Sequence, residues 1–197
     1  MSTSRLHDLL DLAFIPRWCC VPTTRPQSVA EHSYRVAIIV QELIDRIPYA
    51  GTIHAVRWAL AHDGPEVRTG DIPGNLKGDF PEFKDMVHWM QDYYCPWYYK
   101  ERSLPTTSEQ LVVRLADHLE TLMFISENIA RPLVDSWVIL REQKIVSDLA
   151  DEGVRRYGWA ELPAIVAEIL DAMPPSPSQH SGSSEYPPCP ARTPGTP

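Results

Sequence analysis

The sequence predicts an all-α fold, and three observations carry that prediction. Apolar residues recur at intervals of three and four along most of the first 173 residues, which is the spacing of one helix face. Capping residues and prolines stand where these apolar runs begin and end. The chain shows no strand-length alternation of apolar and polar residues and no internal repeat. A bundle of packed helices is therefore expected.

The first two helices carry the clearest signals. Apolar residues recur at helical spacing from Leu6 to Phe14, and this helix should end before Pro16, because the residue preceding a proline disfavours helical geometry. The second helix opens on the capping pattern Ser28-x-x-Glu31 and keeps one apolar face along its length. A long amphipathic second helix is therefore expected to contribute to the core.

The other helices follow from the same spacing. A segment rich in Gly, Pro and Asp predicts a structured loop at 64–80. The pair Thr107 and Gln110 marks the start of a later helix. Helices are thus predicted at 53–62, 82–94, 107–122, 132–156 and 161–172.

The prolines divide the chain into two parts. Eight of the 19 prolines lie in residues 174–197, together with five serines and almost no charge. Such a segment cannot bury enough apolar surface to offset its ordering entropy. We expect one helical domain over residues 1–173, followed by a flexible Pro/Ser-rich tail over residues 174–197. A Pro-rich ligand for a partner domain is the alternative interpretation of the tail.

Charge and cysteine content narrow the function classes. A formal net charge of −8 argues against non-specific binding to nucleic acid, which depends on Lys and Arg contacts to phosphate. Cys19 and Cys20 are adjacent, so the four cysteines form neither a disulfide framework nor a CxxC zinc pair. Asp8 and Asp11 interrupt the region where a signal peptide would be apolar, and no apolar run could span a bilayer. A cytoplasmic protein is expected.

Four residues indicate a chemical site. His32 lies on the apolar face of the second helix, His62-Asp63 ends the third, and Asp117 lies inside the fifth. Each also has a purely structural interpretation, since a lone core histidine is usually hydrogen-bonded and a helical aspartate usually faces solvent. His7-Asp8 is a second HD pair, expected on the solvent face of the first helix. Two imidazoles and two carboxylates in one bundle would suit Mn, Fe, Co or Zn.

A family resemblance links these residues. Ser28-Val29-Ala30-Glu31-His32-Ser33, His62-Asp63-x-x-Glu66, Thr69-Gly70-Asp71-x-Pro73-x-x-x-Lys77 and Ala116-Asp117 resemble, in order, the motifs of HD-domain phosphohydrolases. Arg17-Trp18, fourteen residues before His32, is similar to the pair in the 5′-deoxynucleotidase branch. The short stretch from Asp63 to Asp117 is more similar to compact phage enzymes that destroy dATP. The resemblance covers roughly residues 5–150.

The resemblance implies a metal site and a catalytic carboxylate. His32, His62, Asp63 and Asp117 would hold one divalent transition metal, namely Co, Zn or Mn, with Mg and a further phosphate-bound ion left open. Asp63 and Glu66 would be the catalytic residues, with Glu66 orienting or deprotonating the attacking water. The alternative for Glu66 is a loop carboxylate paired with its neighbour Arg68.

The resemblance also implies substrate contacts. Arg17 and Lys77 would bind phosphate oxygens, and Trp18 would pack on the deoxyribose. The weaker candidates are Arg114 for phosphate, and Cys20 and Pro73 for the border of the base pocket.

Three functions remain open on this basis. The first is a dATP triphosphohydrolase that releases deoxyadenosine and triphosphate and depletes the dATP pool. The second is a 5′-deoxynucleotidase that removes phosphate from deoxynucleoside monophosphates. The third is a non-catalytic helical adaptor with a relic site. The resemblance implies a homo-oligomer, a dimer or a hexamer, with a small-molecule substrate and neither nucleic acid nor a membrane as partner.

Overall fold

The fold of the chain is all-α, as the apolar spacing predicts. A computed structural model describes residues 5–130 and 132–172, and the predicted tail at 174–197 lies outside them. The helices are α1 Arg5–Asp11, α2 Val29–Arg46, α3 Ile53–Ala59, α4 Glu66–Thr69, α5 Gly74–Asp79, α6 Pro81–Tyr94, α7 Pro96–Arg102, α8 Thr107–Asn128, α9 Pro132–Tyr157 and α10 Leu162–Asp171. Among these residues the only β-type pairings are two isolated bridges.

The core forms where α2, α8 and α9 pack side by side. Helix α8 contacts α2 on one side and α9 on the other, and α3 and α10 close the ends of the layer. Val36 and Leu43 of α2 are fully buried against Leu115 and Leu119 of α8. Burial of a Val or Leu side chain stabilises a fold by about 1.5–3 kcal/mol, so these contacts hold α2 and α8 firmly together.

The helix starts follow local capping chemistry. Ser28 accepts a hydrogen bond from the Glu31 backbone N–H at the start of α2, as its capping pattern predicts. At the start of α8 the predicted pair is displaced by one residue. Thr106 and Glu109 form a complete capping box there, in place of Thr107 and Gln110.

The connection between α3 and α8 contains more helix than the sequence predicts. Helix α3 ends at Ala59 rather than at residue 62, and the predicted loop at 64–80 contains the short helices α4 and α5. Helix α7 has no predicted counterpart. It starts at Pro96, where the missing backbone N–H costs nothing because first-turn donors lack intrahelical partners. Short Gly- and Pro-containing turns of this kind carry too little apolar periodicity to be predicted.

The orientation of α1 corrects the prediction for His7-Asp8. His7 is exposed as expected, but Asp8 is 1% exposed. Its carboxylate accepts hydrogen bonds from Arg68 and from Trp97 Nε1, the latter at 2.8 Å. Asp8 is buried because α1 packs against the turn carrying Arg68, a contact that helical spacing alone does not reveal.

The apolar face predicted for α1 is divided between core and surface. Leu12, in the short 3₁₀ turn after α1, is buried, whereas Leu6, Leu10 and Phe14 are 62%, 61% and 81% exposed. None of the described helices has the length and apolar character needed to cross a membrane.

Candidate active site

His32 anchors the site from the middle of the core. It lies in the first turns of α2 and is fully buried. Its Nδ1 lies 2.5 Å from Glu120 Oε2, so the ring donates its Nδ1–H to that carboxylate. The lone pair of Nε2 is then available to a metal ion. Nε2 lies 3.0 Å from Asp117 Oδ1 and 3.5 Å from Asp63 Oδ2.

His62 reaches the same point from the turn that follows α3. Its Nδ1 lies 2.7 Å from the Ala59 carbonyl oxygen, which fixes the ring and again leaves Nε2 free. Nε2 lies 3.3 Å from Asp63 Oδ2 and 4.0 Å from Asp117 Oδ1. The four residues that the sequence singles out therefore converge, although three elements far apart in the chain supply them.

The donor set fits a transition metal. Ligand atoms of His32, His62 and Asp63 all lie within 4.8 Å of one another, and Asp117 approaches both imidazoles. The Nε2 atoms of both histidines are buried and lack an aligned hydrogen bond within the described part of the chain. Two orphaned imidazole nitrogens facing two carboxylates are the arrangement that Zn, Co or Mn would satisfy.

The carboxylates between the imidazoles are held in their ionised form. Burial alone would raise the pKa of Asp117, but the imidazoles of His32 and His62 outweigh it and hold that pKa far below its usual range. The same opposition lowers the pKa of Asp63, where burial is outweighed chiefly by the charge of His62. Both side chains are thus ready to act as anionic ligands.

The pKa of Glu66 is shifted in the opposite direction to the pKa values of Asp63 and Asp117. It is buried, and burial together with the charges of Asp63 and Asp71 raises its pKa well above the usual range. One carboxylate oxygen lies 3.7 Å from Lys77 Nζ, and the other has no hydrogen-bond partner within the described residues. Arg68 bonds Asp8 instead, so the alternative in which Arg68 neutralises Glu66 is wrong.

A cavity of about 230 Å³ opens beside these side chains. Asp63, Glu66 and Asp117 line it, as do all the predicted substrate-contacting residues, namely Arg17, Trp18, Cys20, Pro73 and Lys77. The weaker candidate Arg114 is exposed and is not part of the lining. Helical spacing misplaced Arg114 because it is offset from Asp117 around the helix axis.

Arg17 and Trp18 form one wall of the cavity. The Arg17 guanidinium has two nitrogens without hydrogen-bond partners among the described residues, and its Nε lies 4.0 Å from Asp71 Oδ2. Trp18 has a φ of 66°, in the left-handed region that non-glycine residues rarely adopt. Its Nε1 donates to Gln27 Oε1 at 2.8 Å, and its ring stacks on Phe124. These contacts hold the strained Trp18 backbone in place.

Several residues of the site were missed by sequence reasoning. Glu120 lies three residues after Asp117 on α8, and that spacing was the available signal. His118 also lines the cavity, and its Nδ1 lies 2.6 Å from Glu142 Oε2 on α9. Trp137 and Arg141 of α9 form a further wall, and no sequence pattern indicates this position for them.

Glu120 is expected to control metal affinity through His32. It is fully buried and binds His32 Nδ1, Gln27 Nε2 and Arg35 Nε, the last two at 2.7 and 2.9 Å. Glu120→Gln removes the charge that orients the imidazole, so affinity for Zn²⁺ should fall by about 10–100-fold. Calorimetric titration would measure this, with Glu127→Gln on the same helix as the matched control. Unchanged affinity in Glu120→Gln would contradict this role.

The fold of the chain is shared with solved structures. It superposes on a structure of the Cyanophage S-2L HD phosphohydrolase (DatZ) bound to dA and one catalytic Zn²⁺ ion, with a TM-score of 0.63, 24% identity, and coverage of 87% of this chain and 94% of that one. A conserved hypothetical protein from Pyrococcus furiosus gives a TM-score of 0.60 at 24% identity, covering 85% and 98% of the two chains. These likenesses show that the chain shares the helical fold of an HD phosphohydrolase, and the His/Asp cluster lies within that fold.

Sequence comparisons narrow that class to a family. The model described as 5′-deoxynucleotidase YfbR-like matches residues 6–93. A dATP triphosphohydrolase of Salmonella phage PMBT28 is 31% identical over 137 residues, covering 65% of this chain and 69% of that protein. The dATP triphosphohydrolase of Cyanophage S-2L is 27% identical over 130 residues, covering 65% and 73%. The chain belongs to the family of HD-domain phosphohydrolases that contains the Salmonella phage PMBT28 relative, and its residues 6–93 match the YfbR-like model.

Proposed function

We propose that this protein hydrolyses dATP to deoxyadenosine and triphosphate. The observation that carries the proposal is the pair of Nε2 atoms of His32 and His62. These atoms have no hydrogen-bond partner within the described residues, and they face Asp63 and Asp117 beside a cavity whose walls include Arg17 and Lys77. Both the Cyanophage S-2L and the Salmonella phage PMBT28 relatives carry the name dATP triphosphohydrolase. In the cytoplasm of an infected host, this reaction would deplete the dATP pool.

The metal ligands in this proposal are His32, His62, Asp63 and Asp117. A divalent metal held there would lower the pKa of the attacking water and offset negative charge at the phosphate. We propose Zn²⁺, because the superposed cyanophage protein is bound to one catalytic Zn²⁺ ion. Co²⁺ and Mn²⁺ suit the same donor set.

Glu66 is the proposed proton acceptor. It is a buried carboxylate that lines the cavity together with Asp63, and one of its oxygens has no hydrogen-bond partner among the described residues. Its raised pKa suits a group that takes a proton from water and passes it on. Lys77, 3.7 Å away, can hold the ionised form of Glu66 until the phosphate approaches.

Substrate recognition is assigned to the cavity walls. Arg17 is the best-placed phosphate ligand, because two buried nitrogens of its guanidinium have no hydrogen-bond partner within the part of the chain that the structure describes. Lys77 provides a second, mobile positive charge. Trp18 packs on the deoxyribose in this proposal, while Cys20 and Pro73 border the base.

A nucleotide panel tests this function. Zn²⁺-, Co²⁺- and Mn²⁺-loaded protein should consume dATP and leave ATP largely intact, because the Trp18 wall crowds a 2′-hydroxyl. dGTP and dAMP complete the panel, and Asp63→Asn serves as the inactive control. Survival of dATP with every metal would overturn the proposal.

A 5′-deoxynucleotidase is the second candidate. It is favoured by the match of residues 6–93 to the YfbR-like model and by a 5′-deoxynucleotidase of Citrobacter koseri, which is 30% identical over 146 residues and covers 71% of this chain and 63% of that protein. This function would release inorganic phosphate from dAMP. Faster turnover of dAMP than of dATP would favour it.

Catalysis is proposed to reside entirely in residues 1–173. The proposed metal ligands, catalytic residues and substrate contacts lie between Arg17 and Asp117, and the other residues that line the cavity reach no further than Glu142. The predicted tail at 174–197 has no apolar periodicity. A protein truncated after Met173 should keep its kcat and KM for dATP within about twofold, since surface changes away from a site rarely alter it strongly. A large loss of kcat in the truncated protein would contradict this division.

A homo-oligomer is also proposed. Leu6, Leu10 and Phe14 expose an apolar face on α1, and a second copy of the chain is its proposed cover.

A further inference from the structure

Two thiols meet in the wall of the cavity, at a place that the proposed reaction does not use as a metal site. Cys19 and Cys20 are free and exposed, and their Sγ atoms lie 3.6 Å apart. Both residues line the cavity together with Asp71. Adjacent side chains usually diverge, so the approach of the two sulfurs requires an explanation from the backbone.

A tight turn brings the two thiols together. The Val21 N–H donates to the Trp18 carbonyl oxygen at 3.2 Å, which makes Cys19 and Cys20 the two central residues of the turn. The left-handed backbone of Trp18 sets the direction of this turn, and the hydrogen bond from Trp18 Nε1 to Gln27 holds it. The thiol pair is therefore fixed by the same contacts that shape the substrate cavity.

The distance between the two Sγ atoms is close to the distance between two sulfur ligands of one metal ion. In a tetrahedral site with metal–sulfur bonds near 2.3 Å, two sulfur ligands are about 3.8 Å apart. The hydrogen bond with Cys20 and partial burial raise the pKa of Cys19, and the Asp71 carboxylate adds to this effect. The Cys19 thiol therefore stays protonated at neutral pH until a cation displaces its proton, and Asp71, which lines the same cavity, offers an oxygen ligand.

We propose that Cys19 and Cys20, with Asp71 beside them, form a second cation site that captures a thiophilic ion and thereby blocks the substrate cavity. A zinc-like ion would displace one proton from each thiol and form two metal–sulfur bonds. A trivalent arsenical would do the same with loss of one water, so that no oxidant or reductant is needed. The ion would occupy the wall that nucleotides must approach, so protein that carries it should not turn over substrate.

Phenylarsine oxide is the probe, because it requires two thiols and has little affinity for the His/Asp cluster. Intact mass spectrometry of the metal-loaded protein should show one adduct on the wild type and on the Cys95→Ser and Cys189→Ser controls. Cys19→Ser should need on the order of 10²-fold more arsenical, because the second sulfur no longer binds intramolecularly. No adduct on the wild type, or equal affinity in Cys19→Ser, would overturn the site.

The blocking effect is tested separately and rests on the proposed dATP hydrolysis. Pre-incubation with the arsenical should lower the rate at saturating dATP in proportion to the fraction of protein that carries the adduct, and dimercaptopropanol should restore activity where the same concentration of 2-mercaptoethanol does not. A stable adduct that leaves the rate unchanged would overturn the blocking effect. The mass measurement does not depend on turnover, so failure of the proposed function is distinguishable from failure of the cation site.

Discussion

Replacement of Asp63 with Asn is expected to lower dATP hydrolysis by on the order of 10³-fold, since a metal contributes several kcal/mol to such a reaction. Asp63 Oδ2 lies 3.5 Å from His32 Nε2 and 3.3 Å from His62 Nε2, between the two imidazoles. The amide keeps the size of the side chain but removes its charge, so bound Zn²⁺ should be lost together with activity. Metal analysis of the dialysed protein and a kcat measurement check the two effects.

The matched control for Asp63→Asn is Asp11→Asn, because Asp11 is an exposed carboxylate at the end of α1. It should keep both the bound metal and the activity. Retention of Zn²⁺ and of full activity in Asp63→Asn would contradict the assigned site. A protein that binds no metal at all would instead favour the adaptor interpretation.

Replacement of Glu66 with Gln is expected to lower kcat by about 10²–10⁴-fold, the usual contribution of a general base. The KM for dATP and the metal content should change little, because Glu66 is not among the proposed ligands. In the wild type, activity should fall as the pH drops through the raised pKa of Glu66, since only the ionised carboxylate accepts a proton. Glu66→Gln should lack this acidic limb of the pH–rate profile.

Glu82→Gln, in the exposed first turn of α6, is the control for Glu66→Gln. It should leave both the rate and the pH profile unchanged. A Glu66→Gln protein that retained the wild-type kcat would remove Glu66 from the mechanism. One that lost its metal would instead make Glu66 a ligand or a support for one.

The parts of the fold that sequence reasoning predicts well are those with strong local signals. Helix α2 has a capping residue, Ser28, and a continuous apolar face, so its start and its inward side follow from the sequence. His32 lies on that face, and its burial follows as well. The prediction of His62 and Asp63 as site residues depended on the family motif, because an HD dipeptide also occurs at residues 7–8.

The features of the fold and site that were not predicted depend on contacts between segments far apart in the chain. Asp8 is buried because Arg68 and Trp97, 60 and 89 residues away, supply its hydrogen bonds. Glu120 lies one helical turn from Asp117, which suggests only that it is near the site. Its bond to His32 spans 88 residues, so its role in orienting the imidazole depends on the fold. The pairing of Cys19 with Cys20 depends on the turn at Trp18, whose left-handed backbone has no signature in composition.

The most direct test of the proposed reaction follows dATP turnover in ¹⁸O-labelled water by ³¹P NMR and mass spectrometry, using Zn²⁺-loaded protein. Attack of water at the α-phosphorus breaks the bond to the 5′-oxygen and places one ¹⁸O in the released triphosphate, while deoxyadenosine carries none. Triphosphate with a single ¹⁸O, together with unlabelled deoxyadenosine, is the predicted result. Release of dADP with phosphate, or of dAMP with pyrophosphate, would contradict it.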